Sequence, residues 1–147
     1  MPIRPELRKF YGPDWQAARE PMLHKVHGRC QYCDKPNLQM VRTKTGHGRM
    51  FWRPLKGSML WRNEWGWPLT IEELRIANEL HPRTIRVVLT RAHLNRVPGD
   101  DRPENIAVLC QWCHLRYDRP VNLQHAKVTR MVHKDAERPL LQLLEAS

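Results

Sequence analysis

The residue types best suited to bind a metal ion form two Cys-x-x-Cys pairs. The first is Cys30 with Cys33, and the second is Cys110 with Cys113. A two-residue spacer lets both thiolates of one turn face a single ion, and two such turns complete a closed tetrahedral site. Cysteine pairs in a reducing compartment indicate a metal rather than disulfides. We therefore predict one structural zinc ion held by all four cysteines; the alternatives are a redox pair and unligated buried thiols.

Two predicted strands lead up to the second pair. Apolar and polar residues alternate from Ile85 to Thr90, which is the period of a half-buried strand, and this strand runs into Ala92-His93-Leu94. A second short apolar run, from Asn105 to Leu109, ends at Cys110. The pattern places His93 at the end of one strand and a zinc-binding cysteine at the end of the next.

A polar loop and a helix complete this unit. Pro98-Gly99-Asp100-Asp101 has the composition of a turn between the two strands. A short helix is predicted from Gln111, and it should end before Arg119-Pro120 because proline disfavours helical geometry in the residue before it. The predicted order over residues 85–118 is strand, loop, strand, helix.

These residues resemble the HNH endonucleases, a family with a ββα-metal fold. The resemblance rests on Ala92-His93-Leu94, on Asn105 followed by an apolar run, and on Cys110-x-x-Cys113-His114. The stretch from Cys110 to Asp118 is similar to the small phage and bacterial members of the family, and Cys30-x-x-Cys33 matches more loosely. The strong resemblance covers residues 85–118.

The resemblance implies roles in phosphodiester hydrolysis for His93, Asn105 and His114, and helix spacing adds Asp118, four residues after His114. His93 would be the general base, because a neutral imidazole near pH 7 can take a proton from water. Asn105 would pin the loop by hydrogen bonds and so orient His93. His114 and Asp118 would share one helix face and hold a hydrated divalent cation such as magnesium, manganese or nickel. The alternatives are a structural role for His93 and a capping or ion-pairing role for Asp118.

Two positions depart from the family pattern. Ala92 stands where many members have an acidic or histidine metal ligand, and Arg96 stands where close relatives often have histidine. A cation held by fewer ligands would bind more weakly, and Arg96 could substitute only by gripping phosphate directly. The predicted DNA-contacting side chains are Arg91, Arg96, Arg116 and Arg119.

The charge balance favours a polyanionic partner. The 147 residues carry 25 Lys and Arg against 15 Asp and Glu, a formal net charge of +10. DNA is the expected partner, and a merely basic protein is the alternative. No apolar run approaches the roughly 20 residues of a membrane-spanning helix, and the N-terminal residues lack a signal-peptide core. We therefore predict no membrane partner and a cytoplasmic location in a bacterium or a phage-infected host.

The remaining segments are predicted to surround this unit within one domain, residues 1–147. Residues 1–28 should form two short helices or one kinked at Pro21, residues 29–84 the first zinc knuckle and an insertion, and residues 119–147 a helix and tail. Within the insertion, Thr70 and Glu73 form a capping box that opens a helix. Its tryptophans are interleaved with basic residues, and core packing is favoured over nucleic-acid contact.

The sequence thus predicts an α+β protein, a small single domain with a ββα-metal core, a structural zinc site and flanking helices. The leading hypothesis for its function is a metal-dependent HNH DNA endonuclease that nicks or cuts duplex DNA. The second is a catalytically weak zinc-knuckle DNA-binding module within a larger phage packaging or restriction assembly. The third is a zinc-dependent protein-interaction domain.

Overall fold

The computed structural model is α+β and contains two antiparallel sheets. Residues 5–145 are described here, with only the backbone of residues 6, 7, 16 and 134–145. The chain divides into two compact units, Met1–His114 and Leu115–Ser147. The first unit holds both sheets, and the second is helical. Within residues 5–145, no helix has the length and apolar character needed to cross a bilayer.

The first unit begins with short helices. A 3-10 helix spans Pro5–Phe10, α1 spans Pro13–Ala17 and α2 spans Arg19–Lys25. The break between α1 and α2 falls at Ala18, so the sequence prediction of two short helices is confirmed, although Pro21 is not the break point. Pro21 lies in the first turn of α2, where a missing backbone N–H costs the helix little.

A three-stranded sheet follows the first knuckle. It contains β1 (Met40–Gly46), β2 (Arg49–Pro54) and β3 (Arg83–Arg86), with β1 in the middle. His47 and Gly48 form the two-residue turn between β1 and β2, and both have positive φ (51° and 74°), as tight hairpin turns require. The predicted capping box is confirmed, because Thr70 and Glu73 exchange both of its hydrogen bonds at the start of α3, Ile71–Asn78.

The strand predicted from Ile85 into Ala92-His93 is instead two strands in different sheets. β3 ends at Arg86 and β4 (Leu89–His93) begins three residues later, pairing only with β5 (Ile106–Cys110). At the break, Val87 is fully buried and exchanges backbone hydrogen bonds with the chain at residues 38 and 39. The alternating sequence pattern does not reveal that the chain changes sheets, because residues in β3 and in β4 both alternate with a period of two.

The β4–β5 ladder leads directly into the last helix, α4, Gln111–Glu145. Its residues to His114 belong to the first unit and the remainder form the second. The prediction that the helix ends before Arg119-Pro120 is wrong, as is the separate helix predicted beyond it. Pro120 lacks one backbone donor, yet the helical hydrogen bonds on both sides of it continue. The tail predicted at the end of residues 119–147 includes Arg138 to Leu144, whose side chains lie outside the described residues.

The buried residues of the first unit come from both sheets and from the two cysteine pairs. Phe51, Trp52 and Leu109 are among its largest fully buried side chains, and every residue of β5 is buried. Trp52 therefore packs as predicted, whereas Trp65 and Trp67 lie exposed in the segment before α3. The sheet that carries His93 is thus rigidly backed by packed apolar residues.

Candidate functional site

The four cysteines meet in one buried cluster. Cys30 and Cys33 lie in a turn closed by hydrogen bonds from the Cys30 amide to the Lys35 carbonyl (3.0 Å) and from the Asp34 amide to the Cys30 carbonyl (2.9 Å). Cys110 is the last residue of β5, and Cys113 lies in the first turn of α4. Their sulfur atoms all lie within 4.8 Å of one another.

This arrangement suits a tetrahedral zinc ion. A Zn–S bond of about 2.3 Å implies sulfur atoms about 3.8 Å apart, and Cys33 Sγ and Cys110 Sγ lie 3.6 Å apart. The Cys110 amide also donates to Cys30 Sγ at 3.3 Å, the type of backbone contact that orients a thiolate ligand. None of the four cysteines forms a disulfide. The four buried thiols could therefore hold a metal such as zinc.

Hydrogen bonds among the four crowded thiols shift their pKa values in opposite directions. Hydrogen bonding to Cys113 lowers the pKa of Cys110 to about 7, and hydrogen bonding to Cys110 lowers that of Cys30. The pKa values of Cys33 and Cys113 are raised, in both cases chiefly by hydrogen bonding to Cys110. Four neighbouring thiolates repel one another, so full ionisation requires a cation among them.

The sequence analysis missed Lys35, which lies fully buried two residues after Cys33. Its ammonium donates to Met50 Sδ at 3.0 Å and lies about 6 Å from the rings of Trp52 and Trp112. A lysine is rarely buried without a compensating negative charge. A tetrathiolate zinc centre would carry a net charge of −2, and zinc-loaded cysteines would therefore provide that compensation. A cation two residues after a Cys-x-x-Cys pair is the only sequence signal for this role.

The glutamines between the cysteines join the knuckles to the sheets. The Gln31 amide donates to the Val108 carbonyl (3.1 Å), and the Val108 amide donates to the Gln31 side chain (2.7 Å). Gln111 accepts from the Val88 amide (3.1 Å) and donates to the Arg86 carbonyl (3.0 Å), bridging the break between β3 and β4. The cysteine cluster is thereby coupled to the strand that ends at His93.

His93 lies at the end of β4, opposite Ile106, with its imidazole bonded to a carboxylate. His93 Nε2 lies 2.8 Å from Asp101 Oδ1. The side chain of His93 is only 6% exposed, whereas that of Asp101 is 47% exposed. Asp101 was predicted only as part of a turn, and its contact with His93 depends on how the loop folds back.

Aromatic residues of the N-terminal segment cover His93. The indole of Trp15 stacks on the imidazole with ring centroids 4.6 Å apart, and Tyr11 lies edge-on at 6.4 Å. Arg91 donates to the Trp15 carbonyl (2.6 Å) and places its guanidinium 3.7 Å from the Trp15 ring centroid. Burial lowers the pKa of Arg91, against the opposing charge of Asp101. Arg91, predicted to contact DNA, is therefore engaged inside the protein in this structure.

Asn105 ties together the loop between β4 and β5. Its side chain accepts from the Asn95 amide (2.9 Å) and donates to Asn95 Oδ1 (2.9 Å) and the Asp100 carbonyl (2.7 Å). Hydrogen bonding to Arg102 lowers the pKa of Asp100 to about 2, and its carboxylate also accepts from Asn95. The hydrogen bonds expected of Asn105 are present; its part in catalysis stays a prediction.

His114 is connected to the same strand as His93. Its Nδ1 lies 2.9 Å from the Thr90 hydroxyl, and Thr90 lies three residues before His93 on β4. Ala92, between them, is buried and offers no ligand. Among the described residues, the cysteines are the only cluster of three or more His, Cys, Asp or Glu side chains close enough to share an ion.

The other three predicted DNA contacts are exposed arginines. Arg96 lies in the loop after β4 with a positive φ of 60°, and Arg116 and Arg119 lie in the second unit. The exposure of all three residues is compatible with contact to a polyanion.

Comparison of this chain with models of known protein families, with functionally characterised proteins and with solved structures finds no match. Its function must therefore be inferred from its own residues.

Proposed function

We propose that this protein is a metal-dependent DNA endonuclease of the HNH type that hydrolyses phosphodiester bonds. The observation that supports this best is the order of β4, loop, β5 and α4 around His93, Asn105 and His114. β4 carries His93 at its end and binds His114 through Thr90, and Asn105 pins the loop that lies between the two strands. Cys110 and Cys113 lie where β5 meets α4, and a structural zinc bound by the four cysteines would hold these elements in place.

The proposed reaction begins with proton transfer to His93. His93 takes a proton from a water molecule, the resulting hydroxide attacks phosphorus, and the bond from phosphorus to the 3′-oxygen breaks. The departing 3′-oxygen takes a proton from solvent, which gives 5′-phosphate and 3′-hydroxyl ends, and His93 then releases its proton. A divalent cation bound near His114, with Asp118 as the predicted second ligand, would stabilise negative charge on the phosphate and the leaving oxygen. Magnesium, manganese and nickel are the candidates.

The cover over His93 places a requirement on this reaction. With 6% of its side chain exposed, the imidazole has little access to water or phosphate while Trp15 stacks on it. Turnover therefore requires Tyr11 and Trp15 to shift when DNA binds. Trp15 lies in the five-residue helix α1, and Tyr11 lies between the 3-10 helix and α1, so their displacement costs little helical structure.

The test is a nicking assay on supercoiled plasmid with zinc-loaded protein and added magnesium, manganese or nickel. The wild type should nick the plasmid, and His93→Ala and His114→Ala should abolish nicking while retaining zinc and fold. His81→Ala is the matched control, because His81 is exposed and lies between α3 and β3. Absence of nicking by the wild type with every cation would refute the endonuclease proposal.

A specific observation favours a second candidate, a zinc-knuckle DNA-binding module that lacks strong catalysis. Ala92 is buried where a ligand would be needed, and His93 is covered. Such a module could act within a phage packaging or restriction assembly. It predicts salt-dependent DNA binding without cleavage, with a slope of about −0.9 in log K per neutralised phosphate on a plot against log salt concentration. A flat slope would contradict both candidates.

A further inference from the structure

We propose that Asp101 is the positioning residue for His93, fixing the tautomer in which Nε2 carries the proton and Nδ1 is the basic nitrogen. This proposal rests on the endonuclease function proposed above and names the residue that prepares its base. It assigns the protein a His–Asp pair whose members lie eight residues apart, on β4 and in the loop after it.

The geometry of the pair determines which nitrogen is protonated. Asp101 Oδ1 lies 2.8 Å from His93 Nε2, and a carboxylate can only accept a hydrogen bond. Nε2 is therefore the donor, and the lone pair of the neutral ring is on Nδ1. When Nδ1 takes the proton of the attacking water, the ring becomes a cation that faces the negative charge of Asp101. The carboxylate thus favours the protonated ring without itself taking a proton.

The loop holds Asp101 in place through its neighbours. The carbonyl of Asp100 accepts from Asn105, and its carboxylate accepts from Asn95 and Arg102. The Arg102 carbonyl accepts from the Asn105 amide at 2.9 Å, so the backbone on both sides of Asp101 is constrained, while the carboxylate of Asp101 lies 2.8 Å from His93 Nε2. Asn105 would then orient the base indirectly, by holding the loop from which Asp101 projects.

The alternative is that Asp101 only stabilises the loop. A structural role would lower stability without changing the chemistry of the folded protein. A positioning role should change kcat far more than KM, and should change the distribution of the proton between the two ring nitrogens. The second effect can be measured without any substrate, so it separates failure of this proposal from failure of the endonuclease proposal.

The experiment compares three variants for plasmid nicking, melting temperature and long-range ¹H–¹⁵N spectra of the imidazole. Asp101→Ala should lower kcat roughly 10- to 100-fold with little change in KM, since hydrogen bonds to charged groups have effects of this size. Asp101→Asn keeps an acceptor oxygen at the same place, so its kcat should fall less than that of Asp101→Ala. Glu104→Gln is the matched control, because Glu104 lies in the same loop region, is exposed and does not contact His93.

In the spectra, wild-type His93 should be the tautomer protonated at Nε2, and Asp101→Ala should give a mixture of tautomers. Folded Asp101→Ala with wild-type kcat, or with the wild-type tautomer, would overturn the proposal. Absence of DNA cleavage by the wild type would refute the endonuclease proposal alone, because the spectra would still show whether Asp101 fixes the tautomer of His93.

Discussion

Removal of zinc should unfold the first unit. Structural zinc bound by sites of this kind contributes roughly 10–16 kcal/mol at pH 7, whereas an entire small domain is stable by about 5–15 kcal/mol. The cluster joins Cys30 and Cys33 to Cys110 and Cys113, and without metal these two pairs have no ion to link them. The expected loss is therefore comparable to the total stability.

The assay combines metal analysis with thermal unfolding. We expect one zinc per chain, and a strong chelator should abolish the cooperative transition seen in near-ultraviolet circular dichroism, with recovery when zinc is restored. Cys113→Ser should behave like the chelated protein. Asp34→Asn is the matched control: Asp34 lies in the same turn, and its half-exposed pair with Arg29 should contribute no more than about 1 kcal/mol.

The direction of the pH dependence follows from the same chemistry. Protons compete with zinc for the thiolates, so stability should fall as the pH is lowered and zinc is released. A chelated protein that keeps the same cooperative transition, or a purified chain that folds fully with no bound metal, would refute the zinc assignment.

Two further predictions test the start of α3 and the aromatic cover over His93. Burial acts to raise the pKa of Glu73, but hydrogen bonds with Thr70 and Asn63 and the charge of Arg49 outweigh it and leave the pKa lowered. Its ionised form therefore stabilises the fold at neutral pH, and this contribution is lost as the pH falls from the ordinary glutamate pKa of about 4.3 through the lowered pKa of the folded state. In urea titrations, Glu73→Gln should lower the free energy of unfolding by about 1–3 kcal/mol at pH 7 and should make it decline less toward pH 3. A decline equal to that of the wild type would contradict the assignment. Trp15→Ala should expose the imidazole of His93. Histidine acylation followed by peptide mass spectrometry should therefore find that His93 reacts slowly in the wild type and faster in the variant. Equal rates of acylation would show that Trp15 does not shield His93.

Local chemistry accounts for what the sequence alone determined. Ligand type and spacing within Cys30-x-x-Cys33 and Cys110-x-x-Cys113 predicted a metal cluster, and the structure brings these four thiols together. The capping box before α3, the strand ending at His93 and the helix starting at Gln111 depend on neighbouring residues, so short windows of sequence reveal them. The HNH resemblance and the catalytic roles remain predictions that only the assays above can test.

Tertiary packing decided the features that no window of sequence contains. The break between β3 and β4 depends on contacts of Val87 with residues 38 and 39, and the burial of His93 depends on Trp15, 78 positions earlier in the chain. The partner of His93, Asp101, lies nearby in sequence, but its contact depends on the loop being drawn back by Asn105. Periodicity and residue type report which surfaces are apolar and which groups can react. Which side chains contact one another depends on how segments distant in the sequence pack together in the folded chain.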